Sequence, residues 1–153
     1  MSALHAGGAL DADALGRLFA SAAFHRTLGA TIRRTTEGVA IDARLGDRFE
    51  SIPGRLHGGV VASLLDSAGT WALIASTGDV FTTVDLRVDY LRPVRAGDLT
   101  ASGVVVACGA SVARAAAQLS DREGRCCATA TGTFVRVARE PAPGRRAADG
   151  DRR

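Results

Sequence analysis

The stretch "LHGGVVASLLDSAGTWALIASTG", running from Leu56 to Gly78, constrains the fold more than any other part of the chain. Within it, Val60, Val61, Leu64, Leu65, Ala68, Trp71, Leu73 and Ile74 spread around nearly the whole circumference of a helix instead of forming one stripe. Such a helix is buried on most sides, so the remaining chain must wrap it. The only side chain in the stretch certain to be charged at neutral pH is Asp66. An ionised carboxylate in apolar surroundings is costly without a compensating partner. Asp66 is therefore either a functional group or a residue turned to solvent or to a loop cap.

The wrapping has to come from the flanking sequence. "DADALGRLFASAAF" reads as a short helix with acidic residues in its first turn. "GATIRRTTEGVAIDARL" reads as a hairpin around Glu37-Gly38, its second strand alternating Val39, Ile41, Ala43 and Leu45 with polar or small residues. Beyond the break at Gly78, "TTVDLRVDYLRP" alternates Val84, Leu86, Val88 and Tyr90 with Thr83, Asp85, Arg87 and Asp89, a half-buried strand ended by Pro93. "DLTASGVVVACG", "SVARAAAQLSD" and "RCCATATGTFVRV" complete a meander of four strands. Helix propensity competes in "ARAAAQL", but its place between two turns in a run of strands favours strand. The expectation is an α+β fold with one curled antiparallel sheet around a long central helix. A chain of 153 residues suits one such domain. It is placed at residues 10–138, after a flexible N-terminus at 1–9 and before a disordered Arg-rich tail at 139–153, whose Pro, Gly, Ala and charge cannot bury enough surface to order themselves.

Composition excludes several functions. The net charge is +3, and the tail from Arg139 supplies five Arg against three acids, leaving the folded part nearly neutral. With no basic face and few aromatics, nucleic-acid binding has no support. Cys108, Cys126 and Cys127 form neither a disulfide framework nor a zinc spacing, so no metal is expected and a reducing cytoplasm is. No leader pattern opens the chain and no stretch reaches the ~20 apolar residues of a membrane helix, so no membrane partner is expected.

"RLHGGVVASLLDSAGTWAL", "TTVDLRVDYLRPVRAGD" and "GRCCATATGTFV", taken together from about Phe24 to Val137, closely resemble the hotdog-fold acyl-CoA thioesterases of the phenylacetate-pathway (PaaI-type) family. The resemblance implies hydrolysis of an aryl or medium-chain acyl-CoA to free acid and CoA, with no cofactor. It also implies roles for particular residues. The residue after His57, Gly58, supplies a backbone amide to the carbonyl oxygen, and Thr83 falls where the family carries a Ser or Thr that places water. Ser51 falls where many relatives carry Asn, a departure that weakens a second carbonyl contact.

Elementary chemistry agrees with these roles. Thioester hydrolysis needs a group that activates water or attacks the carbonyl, and donors for the developing oxyanion. Gly58 and Gly59 open the helix, where N–H groups lack intrahelical acceptors and no Cβ blocks an acyl group. Asp66 is the general base or the nucleophile of a transient anhydride. His57 fixes the turn before the helix at the edge of the substrate site, and Arg92 is the favoured cation for the phosphates of CoA. Gly58 and Asp66 are eight residues apart, about 12 Å along an unbroken helix. One chain cannot then offer both to one carbonyl, so the expected assembly is at least an isologous homodimer. The resemblance implies a homotetramer built as a dimer of dimers. Two other functions compete: a hotdog dehydratase or hydratase, which normally carries a differently placed catalytic His, and a non-catalytic acyl-CoA binding module, which Ser51 in place of Asn would favour.

Overall fold

The structure is a computed structural model that describes residues 8–137. The segments expected as a flexible N-terminus (1–9) and an Arg-rich tail (139–153) lie outside the described residues, Gly8 and Ala9 excepted. In chain order the elements are α1 (Ala12–Ser21), α2 (Ala23–Thr27), β1 (Thr31–Arg34), β2 (Gly38–Leu45), a 3-10 turn (Asp47–Phe49), β3 (Glu50–Ile52), β4 (Arg55–Leu56), α3 (Gly58–Thr77), β5 (Phe81–Tyr90), β6 (Gly97–Cys108), β7 (Val112–Asp121) and β8 (Cys126–Arg136). Six strands form one antiparallel sheet in the order β1-β2-β6-β7-β8-β5, and β3-β4 make a separate ribbon. This is the expected hotdog arrangement, with the Ala-rich segment as strand β7.

α3 runs unbroken for 20 residues and ends at Gly78, whose φ of 74° is open to glycine at little cost. By length and composition it could cross a membrane, with a mean hydropathy of 1.3, which departs from the expectation that no stretch would qualify. The sheet explains the hydropathy: 56% of that window is buried inside the fold. Val61, Leu64, Leu65, Ala68 and Leu73 are all within 1% of full burial, packed with Ile41, Leu119 and Phe134 from the strands. The sheet closes so tightly that a Cβ on Gly103 of β6 would lie 2.0 Å from the Ala68 carbonyl oxygen. Trp71 and Phe81 are core residues.

Burial of α3 is less complete than its sequence suggests. Gly59 is exposed, and Ala62, Ser63, Asp66 and Thr70 are only half-buried, forming one stripe along the helix that the sheet leaves uncovered. Asp66 therefore sits at the border of the core instead of within it.

The first helix is capped by Asp11, which accepts from the Ala14 N–H at 2.7 Å, and Leu15 and Phe19 anchor it. Helix α1 packs beside β1, and Arg34 of β1 donates to the carbonyls of Leu10 and Ala75. His25 of α2 is buried, stacked on Phe19 at 3.8 Å and edge-on to Trp71 at 5.6 Å. Its Nδ1 meets the Phe19 carbonyl at 3.0 Å, while burial lowers its pKa below the usual histidine value.

Strand β5 departs from simple alternation. Its register with β8 shifts between Thr83 and Asp85, a bulge that leaves Val84 exposed at 62%. Phe81 and Thr83 before the bulge, and Leu86 and Val88 after it, therefore share the inner side. This corrects two expectations at once: Val84 does not face the core, and Thr83 does not belong to the outer polar face with Asp85, Arg87 and Asp89.

Candidate active site

The bulge has a direct chemical consequence. With Thr83 turned inward, its hydroxyl donates to Oδ1 of Asp66 at 2.7 Å. That hydrogen bond fixes the rotamer of a carboxylate that would otherwise swing freely at the helix surface. Asp66 and Thr83 line a depression of about 250 Å³ with Ala62, Ser63 and Leu86. Ser63 lies one turn before Asp66 on the same stripe, its hydroxyl donating to the Gly59 carbonyl at 2.8 Å.

The other half of the expected machinery lies at the start of α3. His57 is the N-cap: Nδ1 accepts from the Gly59 N–H at 2.9 Å, and its carbonyl accepts from Val60 and Val61 at 2.9 and 3.4 Å. Among the described residues the Gly58 N–H has no acceptor, which leaves it available to an anionic oxygen at the positive end of the helix. The neighbouring Gly59 amide is already used, so the two glycines are not equivalent. Tyr90, at the end of β5, donates to the Gly58 carbonyl at 2.8 Å, and a Cβ on Gly58 would touch its ring at 3.4–3.5 Å. A second depression of about 310 Å³ opens here, lined by Arg55, Leu56, Gly58, Tyr90, Arg92 and Pro93 among others. Arg92 points one guanidinium nitrogen at the Cys126 carbonyl, 2.5 Å away, and so forms part of the wall.

Gly58 and Asp66 thus line two different depressions of one chain, separated along a continuous helix. Thr83 joins Asp66, and His57, Gly59 and Arg92 surround Gly58. Ser51 is exposed on β3 and lines neither depression. Among the described residues no group of three or more His, Cys, Asp or Glu gathers as a metal cage. Sequence reasoning missed Tyr90 and Ser63. The spacing of Ser63 three residues before Asp66 was a readable signal for the latter. Tyr90 becomes relevant only because β5 runs antiparallel to α3, which no local pattern announces.

Comparison with known proteins places the chain. Residues 53–128 match the thioesterase superfamily, and those residues span both depressions. The medium/long-chain acyl-CoA thioesterase YigI of Escherichia coli strain K12 is 34% identical over 133 residues, covering 73% of this chain and 84% of that protein. Among solved structures, a phenylacetic acid degradation-related protein from Ralstonia eutropha JMP134 is 29% identical with a TM-score of 0.68, covering 74% of this chain and 89% of its own. The PaaI protein of the E. coli phenylacetic acid degradation operon superposes with a TM-score of 0.74 over 80% of this chain and 89% of its own, at 22% identity, a likeness of fold alone. With its unbroken central helix, its wrapped six-stranded sheet and these relatives, the chain belongs to the thioesterase superfamily and is a hotdog-fold thioester hydrolase.

Proposed function

We propose that this protein hydrolyses medium- to long-chain acyl-CoA thioesters in composite sites, each built from Gly58 of one protomer and Asp66 of its partner. The chain-length range leans on the activity named for YigI; the aryl alternative leans on two structures named for phenylacetic acid degradation, one 29% identical and one alike in fold alone. The observation that carries the reading is the Thr83–Asp66 hydrogen bond at 2.7 Å on the uncovered stripe of α3. It aims a carboxylate at an open depression, where a partner surface can complete the site.

In this reading the thioester carbonyl oxygen accepts from the free Gly58 N–H, which stabilises the charge that develops on it. Asp66 removes a proton from water as the water oxygen attacks the carbonyl carbon. The tetrahedral intermediate then collapses, the C–S bond breaks, and the CoA sulfur leaves with the proton. Alternatively the carboxylate attacks directly and water hydrolyses the resulting anhydride. Thr83 serves either course by occupying Oδ1 and leaving Oδ2 for chemistry. Arg92 and Arg55, beside Gly58, suit the anionic part of CoA. A binding module would have no need of a carboxylate so held, and the hydrogen-bond partner of Asp66 is Thr83 and not the histidine expected of a hydratase.

Release of CoA from a panel of acyl-CoAs, followed with a thiol reagent, tests the proposal. Turnover on medium and long chains, lost in Asp66→Asn, is expected. No release from any substrate, or an Asp66→Asn variant as active as wild type, would reject it. In single-turnover hydrolysis in ¹⁸O-water, label found in the Asp66 carboxylate identifies the anhydride route, because it enters only when water attacks the Asp66 carbonyl carbon of the anhydride.

A further inference from the structure

We infer that Ser63 positions the attacking water, its hydroxyl oxygen accepting the proton of that water which Asp66 does not take. This rests on the reading of Asp66 as the general base, and it gives a task to the one polar group beside that acid which the chemistry above leaves idle.

Of the side chains that line the Asp66 depression, only Ser63, Asp66 and Thr83 carry polar atoms. Both hydroxyls have already committed their single proton. Thr83 donates to Oδ1 of Asp66 at 2.7 Å, and Ser63 donates to the Gly59 carbonyl at 2.8 Å, one turn back along α3. A hydroxyl whose proton is committed still offers its lone pairs, so each oxygen faces the depression as an acceptor only. A water beside the acid has two protons to place. One belongs to Oδ2 of Asp66, the oxygen that Thr83 leaves free. The other needs an acceptor that holds it without removing it, and a neutral hydroxyl oxygen does that.

Ser63 suits that place better than Thr83. The two oxygens of a carboxylate diverge, so with Oδ1 on the strand side Oδ2 turns away from Thr83. Helical side chains lean toward the N-terminus and residues three apart share a face, so the Asp66 carboxylate reaches back over the turn that carries Ser63. Cβ atoms at that spacing are about 5–6 Å apart, a gap that one water bridges with a hydrogen bond to each side. Held at both protons, the water keeps a lone pair for the carbonyl carbon. As its oxygen bonds to that carbon, the proton facing Asp66 passes to Oδ2, and the proton facing Ser63 stays on the new hydroxyl of the intermediate. The C–S bond then breaks, the sulfur takes the proton from Asp66, and the carboxylic acid leaves with the hydroxyl that Ser63 held.

Steady-state CoA release by Ser63→Ala and Ser63→Thr, measured beside wild type and Asp66→Asn on the acyl-CoA that wild type hydrolyses fastest, tests the role. Ser63→Ala should lower kcat about tenfold, the worth of one hydrogen bond, with KM within about twofold of wild type. Alanine is the best helix former, so the melting temperature should not fall. Ser63→Thr keeps a hydroxyl with the same backward bond to the Gly59 carbonyl and should restore most of the lost kcat. A serine that merely hides its proton in the helix would leave kcat untouched. Ser63→Ala as fast as wild type, or Ser63→Thr as slow as Ser63→Ala, therefore overturns the role. So does a loss carried by KM instead of kcat, the mark of a pocket deformed before reaction. No turnover by wild type, or an Asp66→Asn variant that keeps wild-type activity, rejects the parent reading of Asp66. An inactive Asp66→Asn beside an unimpaired Ser63→Ala keeps Asp66 as the base and dismisses Ser63 alone.

Discussion

The two edges of the sheet are treated in opposite ways. The β1 edge is four residues long, lies under α1, and is tied down by Arg34 reaching the Leu10 and Ala75 carbonyls and by the Arg33–Asp42 ion pair at 3.0 Å. The β5 edge is ten residues long, meets no other strand among the described residues, and is studded with alternating charge. Short, covered edges protect a sheet from unwanted pairing; a long open edge is a template for another strand. Stability should accordingly reside on the β1 side and chemistry on the β5 side.

Four substitutions can break that division, and they differ widely in expected size. Asp66→Asn should lower kcat by about 10²- to 10⁴-fold in steady-state CoA release, with an unchanged melting temperature. Thr83→Val keeps the shape and removes the hydroxyl from Oδ1; loss of a hydrogen bond to a charged group, about 1.5–3 kcal/mol, should cost roughly ten- to a hundredfold in kcat. Arg34→Ala should do the reverse, lowering stability by about 1–3 kcal/mol in urea titration while kcat stays the same. A pH dependence on the β1 side is weaker than any of these. Burial holds the folded-state pKa of His25 below its unfolded value, so its contribution is fully present above about pH 6.5 and is lost as pH falls below that. The midpoint of thermal unfolding should fall more steeply with acid in wild type than in His25→Gln.

The two edges were also unequally legible. The long helix, the meander and the strand character of "ARAAAQL" could be read because periodicity and turn residues act locally. The role of His57 in fixing the turn before α3 is a local pattern of the same kind. The bulge at Val84 could not be read, because strict alternation over Val84, Leu86, Val88 and Tyr90 mimics a regular strand, and only the register against β8 exposes the extra residue. That alternation puts Thr83 on the polar face, although the family resemblance marks it as a site residue. The half-exposure of Asp66 is hidden for another reason. Gly59, Ala62, Ser63 and Thr70 are small enough to pass as core, yet they line the stripe of α3 that the sheet leaves uncovered. The ribbon at Pro53–Gly54 that carries Ser51 away from both depressions also escaped notice.

The central claim is that each site takes its acid and its amide from different protomers, and subunit complementation tests it most directly. Asp66→Asn removes the acid. Gly58→Pro removes the amide at a helix position that accepts proline, and the His57 ψ of 131° before it is compatible with that ring. Each variant alone should be inactive. After subunit exchange, half the dimers in an equal mixture carry one intact site of two, so the mixture should regain about one quarter of wild-type kcat. A mixture as inactive as its parents, with exchange verified by mass spectrometry, would contradict the account.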